Sequence, residues 1–161
     1  SNKPSYVRIC RNNVGEVYDK NYNFVPGKPK EIIKSEKNTI ISSGPLIFNC
    51  LEAIQILSER KINVGLININ SFKPFDGKAF ERILKTKKNI LIVEDHVSHG
   101  GLSSLVYEAI AKSKLKISNL KSLNLDEKFS ESGNPSDLEK ANGFDSKNIA
   151  KIFYEKFKLA K

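Results

Sequence analysis

The densest group of chemically capable side chains in the sequence lies between residues 94 and 101. It consists of Glu94, Asp95, His96, His99 and the pair Gly100 and Gly101, and it includes both histidines of the chain. Carboxylate and imidazole groups are metal ligands and proton carriers, so a metal site is one interpretation. It is a weak one, because the four ligands are close together on one segment and the sequence has no matching cluster elsewhere.

The same stretch has two further interpretations. A glycine pair that opens a helix leaves backbone N–H groups at the positive end of the helix dipole, and such a helix start can bind an anion. Alternatively, Gly100 and Gly101 only allow a tight turn, while Glu94, His96 and His99 make contacts within the loop or at an interface. We favour this structural interpretation, because a lone glycine pair is a weak signal for anion binding.

A second candidate is Arg11, one of only four arginines among the 27 basic residues. It directly follows Ser5–Cys10, whose alternating pattern predicts a strand. A guanidinium group at a strand end can bind phosphate or carboxylate through two hydrogen bonds, although a surface ion pair is an equally good interpretation. Arg8, three residues earlier, is the other arginine in this segment. Cys10 and Cys50 lie in apolar patterns, where a thiol is usually a packing group rather than a nucleophile.

The elements that position these residues alternate in type. After Lys37, segments of helical periodicity separate four apolar runs that predict strands, namely Thr39–Ser42, Ile62–Ile69, Asn89–Glu94 and Ile117–Leu123. Such alternation is typical of βαβ units, in which parallel strands are covered by helices on both faces. The sequence therefore predicts an α/β fold, a three-layer α/β/α sandwich with a mostly parallel, five-stranded sheet. The cluster at residues 94–101 would lie at the carboxyl edge, where such folds bind ligands.

Composition limits the class of protein. The chain has 161 residues, 39% of them apolar and 28% charged, which fits one folded domain of ordinary size. The net charge of +9 comes from scattered lysines without an aromatic and basic motif, so nucleic-acid binding is not expected. No apolar run is long enough for a membrane span. Two cysteines and no recognisable secretory signal predict a soluble, cytoplasmic protein with reduced thiols.

Five motifs resemble the transketolase family, in the family's order and at similar intervals. They are Pro4-x-Tyr6-x-Arg8-x-x-Arg11; Val17-Tyr18-Asp19-x-x-Tyr22-x-Phe24-x-x-Gly27-Lys28; Phe72-Lys73-Pro74-Phe75-Asp76; Val93-Glu94-Asp95-His96 with Gly100-Gly101-Leu102-Ser103-Ser104; and Phe129-Ser130-Glu131-Ser132-Gly133. Each motif alone is unspecific, but five in this order are specific. Two positions depart from the family pattern, because Asp95 replaces a glutamate and Ser103 replaces a common glycine.

The resemblance implies part of an enzyme with three α/β domains. Such enzymes use thiamine diphosphate with Mg²⁺ or Ca²⁺ to move a two-carbon ketol unit from a ketose phosphate to an aldose phosphate. Residues 1–11 would be the last strand of the pyrimidine-binding domain, residues 12–37 a linker, and residues 38–161 the C-terminal domain. The family's residues for metal binding, cofactor activation and proton transfer precede Ser1, so we expect no catalytic residue, metal or cofactor in this chain, and no activity from it alone.

The resemblance also assigns roles to the candidate residues. Arg11 matches the arginine that holds the substrate phosphate at the mouth of the active site. Glu94, His96 and the glycine turn match positions near contacts between domains and subunits, so the expected partner is a second copy of the chain or an N-terminal transketolase subunit. The alternatives are the C-terminal part of a deoxyxylulose-phosphate synthase or of a 2-oxo-acid dehydrogenase β subunit. A third alternative is a regulatory module that binds an anion at Gly100 and Gly101.

Overall fold

A computed structural model describes residues 3–10, 14–125 and 131–157 of the chain. Within these ranges the chain forms five strands and five α-helices, with a short 3-10 turn at Gly44–Leu46 before the first helix. The strands are β1 Lys30–Ile33, β2 Asn38–Ser42, β3 Gly65–Asn68, β4 Asn89–Val97 and β5 Asn119–Leu125. The helices are α1 Ile47–Glu59, α2 Gly77–Leu84, α3 Leu102–Lys112, α4 Pro135–Ala141 and α5 Ser146–Lys156.

The strands form one mixed sheet in the order β1-β3-β2-β4-β5. β2 runs parallel to both β3 and β4, and β5 runs parallel to β4, whereas β1 at the edge is antiparallel to β3. The predicted α/β class with a mostly parallel, five-stranded sheet is therefore confirmed. Parallel strands have their carboxyl ends at one edge of the sheet, and this carboxyl edge is where the residues after β2, β3 and β4 meet.

Helices cover both faces of the sheet, which gives the predicted three layers. Successive residues of a strand point to opposite faces, and in β4 Leu91 and Val93 join one apolar core while Ile90 and Ile92 join the other. The first core contains α1 and α5, and the second contains α2 and α3. This burial on both faces explains why the β4 run is apolar almost without interruption.

The edge strand β1 was not predicted. Lys30–Ile33 lies in the segment that the sequence analysis assigned to a linker, yet it pairs with β3. The pairing needs a very close approach, because a Cβ atom added at Gly65 of β3 would lie 2.7 Å from the carbonyl oxygen of Ile33. A four-residue strand that follows Pro29 and depends on a glycine more than thirty residues away carries little local signal.

The predicted strand at Ser5–Cys10 is absent from the described chain. Tyr6, Val7 and Ile9 are exposed there, at 90%, 76% and 86% of their full accessible areas. A strand needs a neighbour to satisfy its backbone, and none of the described residues supplies one. The assignment of residues 1–11 to a preceding domain stays a prediction.

The two thiols differ in their surroundings. Cys50 on α1 is fully buried, and this burial raises the pKa of its thiol to about 12. Its predicted role as an inert packing group therefore fits the structure. Cys10 is exposed in this chain, so its predicted packing within a strand of the preceding domain stays a prediction. Among the described helices, none has the length and apolar character needed to cross a bilayer.

Candidate functional site at the carboxyl edge of the sheet

Glu94 is a buried carboxylate that caps a helix. It lies in the carboxyl half of β4 and is 3% exposed. Its Oε2 atom accepts a hydrogen bond from the backbone N–H of Leu102 at 2.6 Å, and its Oε1 atom accepts one from that of Ser103 at 2.9 Å. These are the first two residues of α3, so the negative charge lies at the positive end of the helix dipole. The Glu94 carboxylate therefore occupies the start of α3, where an external anion would otherwise bind.

Gly101 makes this contact possible. A Cβ atom at Gly101 would lie 2.2 Å from Glu94 Oε2 and 2.9 Å from His96 Nδ1, distances at which no side chain fits. Gly100 has a φ of +75°, in the left-handed region that favours glycine. Its N–H donates to Ser104 Oγ, which in turn donates to the carbonyl oxygen of Ser98. The glycine pair is therefore required by the turn and by the capping carboxylate.

The two histidines are exposed and lie in the same loop. His96 Nδ1 is 2.8 Å from the carbonyl oxygen of Val97, and His99 Nδ1 is 3.4 Å from Ser98 Oγ. The described part of the chain contains no group of three or more histidine, cysteine, aspartate or glutamate side chains that could hold a metal ion. Both carboxylate oxygens of Glu94 accept hydrogen bonds from the start of α3. This weakens the metal-site interpretation, because Glu94 is the buried member of the four candidate ligands. Asp95 and His96 are exposed near the carboxyl end of β4.

A polar cluster that the sequence analysis did not identify lies beside β3 at the same edge. The rings of Tyr18 and Tyr22 stack with centroids 3.9 Å apart. Tyr18 accepts a hydrogen bond from Asn68 Nδ2 at 2.6 Å, and Tyr22 accepts one from Asn70 Nδ2 at 3.1 Å. Burial is the largest cause of the raised pKa of Tyr18. The spacing of the two tyrosines was visible in the sequence, but their asparagine partners are about fifty residues away.

This cluster fastens the segment of residues 14–29, here called the strap, to the carboxyl edge. At the start of the strap, a Cβ atom at Gly15 would lie 3.1 Å from the ring of Phe48 in the first turn of α1. At its other end, the carbonyl oxygen of Gly27 accepts a hydrogen bond from the N–H of Asp76 at 2.9 Å. Arg11 lies outside the described residues, three positions before the strap. The fixed strap means that the chain enters this domain at the carboxyl edge.

Comparison with known proteins identifies the family. The family model "Transketolase, C-terminal domain" matches residues 27–149. The chain is 34% identical over 157 residues to a transketolase C-terminal section from Methanocaldococcus jannaschii, covering 96% of this chain and 48% of that protein. It is also 34% identical over 128 residues to the 1-deoxy-D-xylulose-5-phosphate synthase of Clostridium beijerinckii, covering 80% of this chain and 21% of the synthase.

A solved structure has the same fold. It is described as a split gene transketolase in an inactive beta4 tetramer, and it matches with a TM-score of 0.82 at 23% identity, over 94% of this chain and 49% of that one. The chain thus spans about half the length of the split-gene protein and of the archaeal relative, and about a fifth of the synthase. The β1 strand falls inside the matched range, which supports its place in the domain. By sequence and by fold, this chain belongs to the transketolase C-terminal domain family.

Proposed function

We propose that the chain is the C-terminal part of a transketolase that moves a two-carbon ketol unit from a ketose phosphate to an aldose phosphate. The observation that carries this proposal is the match to a transketolase C-terminal section over 96% of the chain. A synthase relative also matches over 96% of this chain, but at 29% identity, against 34% for the transketolase section over the same share. This higher identity, together with a split-gene transketolase relative of about twice this length, favours a transketolase over a synthase.

In this proposal the cofactor belongs to the rest of the enzyme. Thiamine diphosphate is bound together with a divalent cation, and the described residues include no group of three or more histidine, cysteine, aspartate or glutamate side chains that could hold such an ion. The most buried carboxylate of the candidate site, that of Glu94, is committed to the start of α3. The residues present therefore do not fit the cofactor, and we assign no step of the reaction to it within this chain.

The contribution of this chain to the active site is Arg11. The strap fixes the chain at the carboxyl edge from Gly15 onward, so Arg11 is tethered to the domain through only three intervening residues. The planar guanidinium of an arginine can bind a phosphate group through two parallel hydrogen bonds. The apolar side chains of Tyr6, Val7 and Ile9, exposed in the described chain, fit a strand that pairs with the preceding domain. With β1 included in the sheet, the proposed linker shortens to residues 12–29.

The partner in this proposal is an N-terminal transketolase subunit or a second copy of the protein. The exposed Asp95 and His96 near the carboxyl end of β4, next to the capped helix, would contribute to that interface. The split-gene relative formed an inactive tetramer, which fits a chain that has no activity without its partner. The intact enzyme is proposed to be cytoplasmic.

Product analysis of the assembled enzyme tests the proposed reaction. We expect the assembly of this chain with the remainder of the enzyme to convert a ketose phosphate and an aldose phosphate into a new pair of such sugars. Mass spectrometry of the products distinguishes the two relatives when pyruvate is also present, because a synthase would join pyruvate to glyceraldehyde 3-phosphate with loss of CO₂ and form 1-deoxy-D-xylulose 5-phosphate. Detection of the deoxy sugar, with no ketol transfer between sugar phosphates, would contradict the transketolase assignment.

A further inference from the structure

The opposite edge of the sheet carries a basic groove. It has a volume of about 1200 Å³ and lies at the amino ends of β2, β3 and β4. The residues that line it include six cationic side chains from separate parts of the chain: Lys28, Lys34, Lys37, Lys61, Arg82 and Lys87. Residues scattered in sequence are thus gathered in one concave surface by the fold. Apart from Lys28, which belongs to the strap, the cations of this surface lie away from the carboxyl edge and the capped helix.

The positive charge of the groove is only partly neutralised. Its two carboxylates are Glu31 and Glu36, and Glu31 is paired at 2.7 Å with the buried Lys87. Five cations therefore face one remaining carboxylate, an excess of four positive charges. Helices α1 and α2 end at this edge, and each contributes about half a negative charge from its dipole. The two helix dipoles therefore offset only a small part of the excess positive charge in the groove.

Lys61 occupies a backbone position that normally favours glycine. Its φ is +62°, the only positive value at a non-glycine residue in the described chain. Its N–H donates to Ser58 and the N–H of Ile62 donates to Leu57, so the end of α1 is a Schellman motif with lysine at its left-handed position. A lysine there costs stability that a glycine would not. The lysine at this position places a cationic side chain on the wall of the groove.

The groove is bordered by a row of hydrogen-bonded asparagines. Asn119 Nδ2 donates to Asn89 Oδ1 and Asn89 Nδ2 donates to Asn38 Oδ1, each at 2.8 Å, and Asn38 Nδ2 donates to the carbonyl oxygen of Asn63 at 3.1 Å. Asn38, Asn89 and Asn119 are register partners at the starts of three neighbouring strands. Asn38 and Asn63 line the groove itself. These hydrogen bonds join the first residues of β2, β4 and β5, which lie beside the cationic side chains of the groove.

We propose that this groove binds a multivalent phosphate anion, a chain of two or more phosphate groups, at a site separate from the substrate phosphate. A single phosphate carries about two charges at neutral pH and would satisfy only part of the excess, whereas a phosphate chain can reach cations on several walls. Five of the six cations are lysines, which bind phosphate as point charges rather than through a fixed fork. The lining residues include no aromatic side chain on which a nucleobase would stack. The ligand is therefore recognised through its phosphates.

Calorimetric titration of the 161-residue chain with inorganic tripolyphosphate tests this proposal. We expect saturable binding that weakens with added salt, at least about fivefold weaker in Lys61→Gly because a charge near the ligand is lost. Lys61→Arg restores the charge and should bind as the original chain does. Lys20→Gly is the matched control, since it removes a lysine from an exposed turn of the strap, and its affinity should be unchanged. The Tm of Lys61→Gly should be equal or higher, which separates a binding effect from unfolding.

The same titration contains the outcomes that would overturn the proposal. Unchanged affinity in Lys61→Gly, or an equal loss in Lys20→Gly, would mean that the groove is not the site. Inorganic phosphate binding as tightly as tripolyphosphate would contradict a multivalent ligand. Equal affinities for adenosine triphosphate and tripolyphosphate would support recognition of the phosphate chain alone. Tighter binding of a short RNA duplex would overturn the proposal in favour of a nucleic-acid surface.

Discussion

Replacing Arg11 with alanine in the assembled enzyme is expected to raise the KM for a phosphorylated acceptor roughly ten- to a hundredfold. Hydrogen bonds between charged groups contribute about 1.5–3 kcal/mol each, which corresponds to this range in affinity. The effect should fall on substrates that carry a phosphate, because the guanidinium contacts that group. Affinity for thiamine diphosphate, measured by titration of the assembly, should be unchanged. Steady-state kinetics with a phosphorylated and an unphosphorylated acceptor give both values.

Two further variants make the Arg11 experiment specific. Arg8→Ala removes an exposed arginine from the same segment and is expected to leave the KM unchanged. Arg11→Lys keeps the charge but loses the planar fork, so an intermediate KM is expected. If Arg11→Ala left the KM of the phosphorylated acceptor unchanged, or raised the KM of both acceptors equally, the assignment of Arg11 to the substrate phosphate would be wrong.

Gly101→Ala is expected to destabilise the chain by about 3 kcal/mol and to lower its Tm by roughly 6–12 °C. The added methyl group would lie 2.2 Å from Glu94 Oε2, so either the carboxylate or the loop backbone must move. Displacing the carboxylate leaves the N–H groups of Leu102 and Ser103 unpaired, and each buried, unpaired donor costs about 1–3 kcal/mol. Thermal and denaturant unfolding followed by circular dichroism would measure the change.

Gly77→Ala is the matched control for this substitution. Gly77 is the first residue of α2, and a Cβ atom there would meet no atom within 4 Å. Alanine is favoured over glycine in helices, so this variant should be as stable as the original chain or slightly more stable. A Gly101→Ala protein within about 1 kcal/mol of the original would show that the Glu94 cap is not held as described.

The sequence was most informative where local patterns decide the structure. The strands β2 and β4 lie where the patterns indicated them. β4 was recognisable because a strand buried on both faces must be apolar throughout. β1 was missed because four residues carry little periodicity, and its pairing depends on the distant Gly65.

The cluster at residues 94–101 lies at the carboxyl end of β4, as the strand pattern predicted, but its chemistry depends on tertiary contacts. The pattern around Glu94 was compatible with a metal ligand, an anion site or a structural turn, and only the hydrogen bonds to Leu102 and Ser103 favour the last. The tyrosine cluster of the strap joins residues about fifty positions apart, which no local pattern predicts. The basic groove was invisible for the same reason, because its lysines look scattered until the fold gathers them.

Calorimetric titration with thiamine diphosphate and Mg²⁺ decides whether this chain is the C-terminal part of a transketolase whose cofactor site lies in the remainder of the enzyme. We expect no binding to the 161-residue chain alone, and saturable binding once the chain is assembled with the N-terminal part. Binding to the chain alone with a defined stoichiometry would place the cofactor site within these residues and would show that this assignment is wrong.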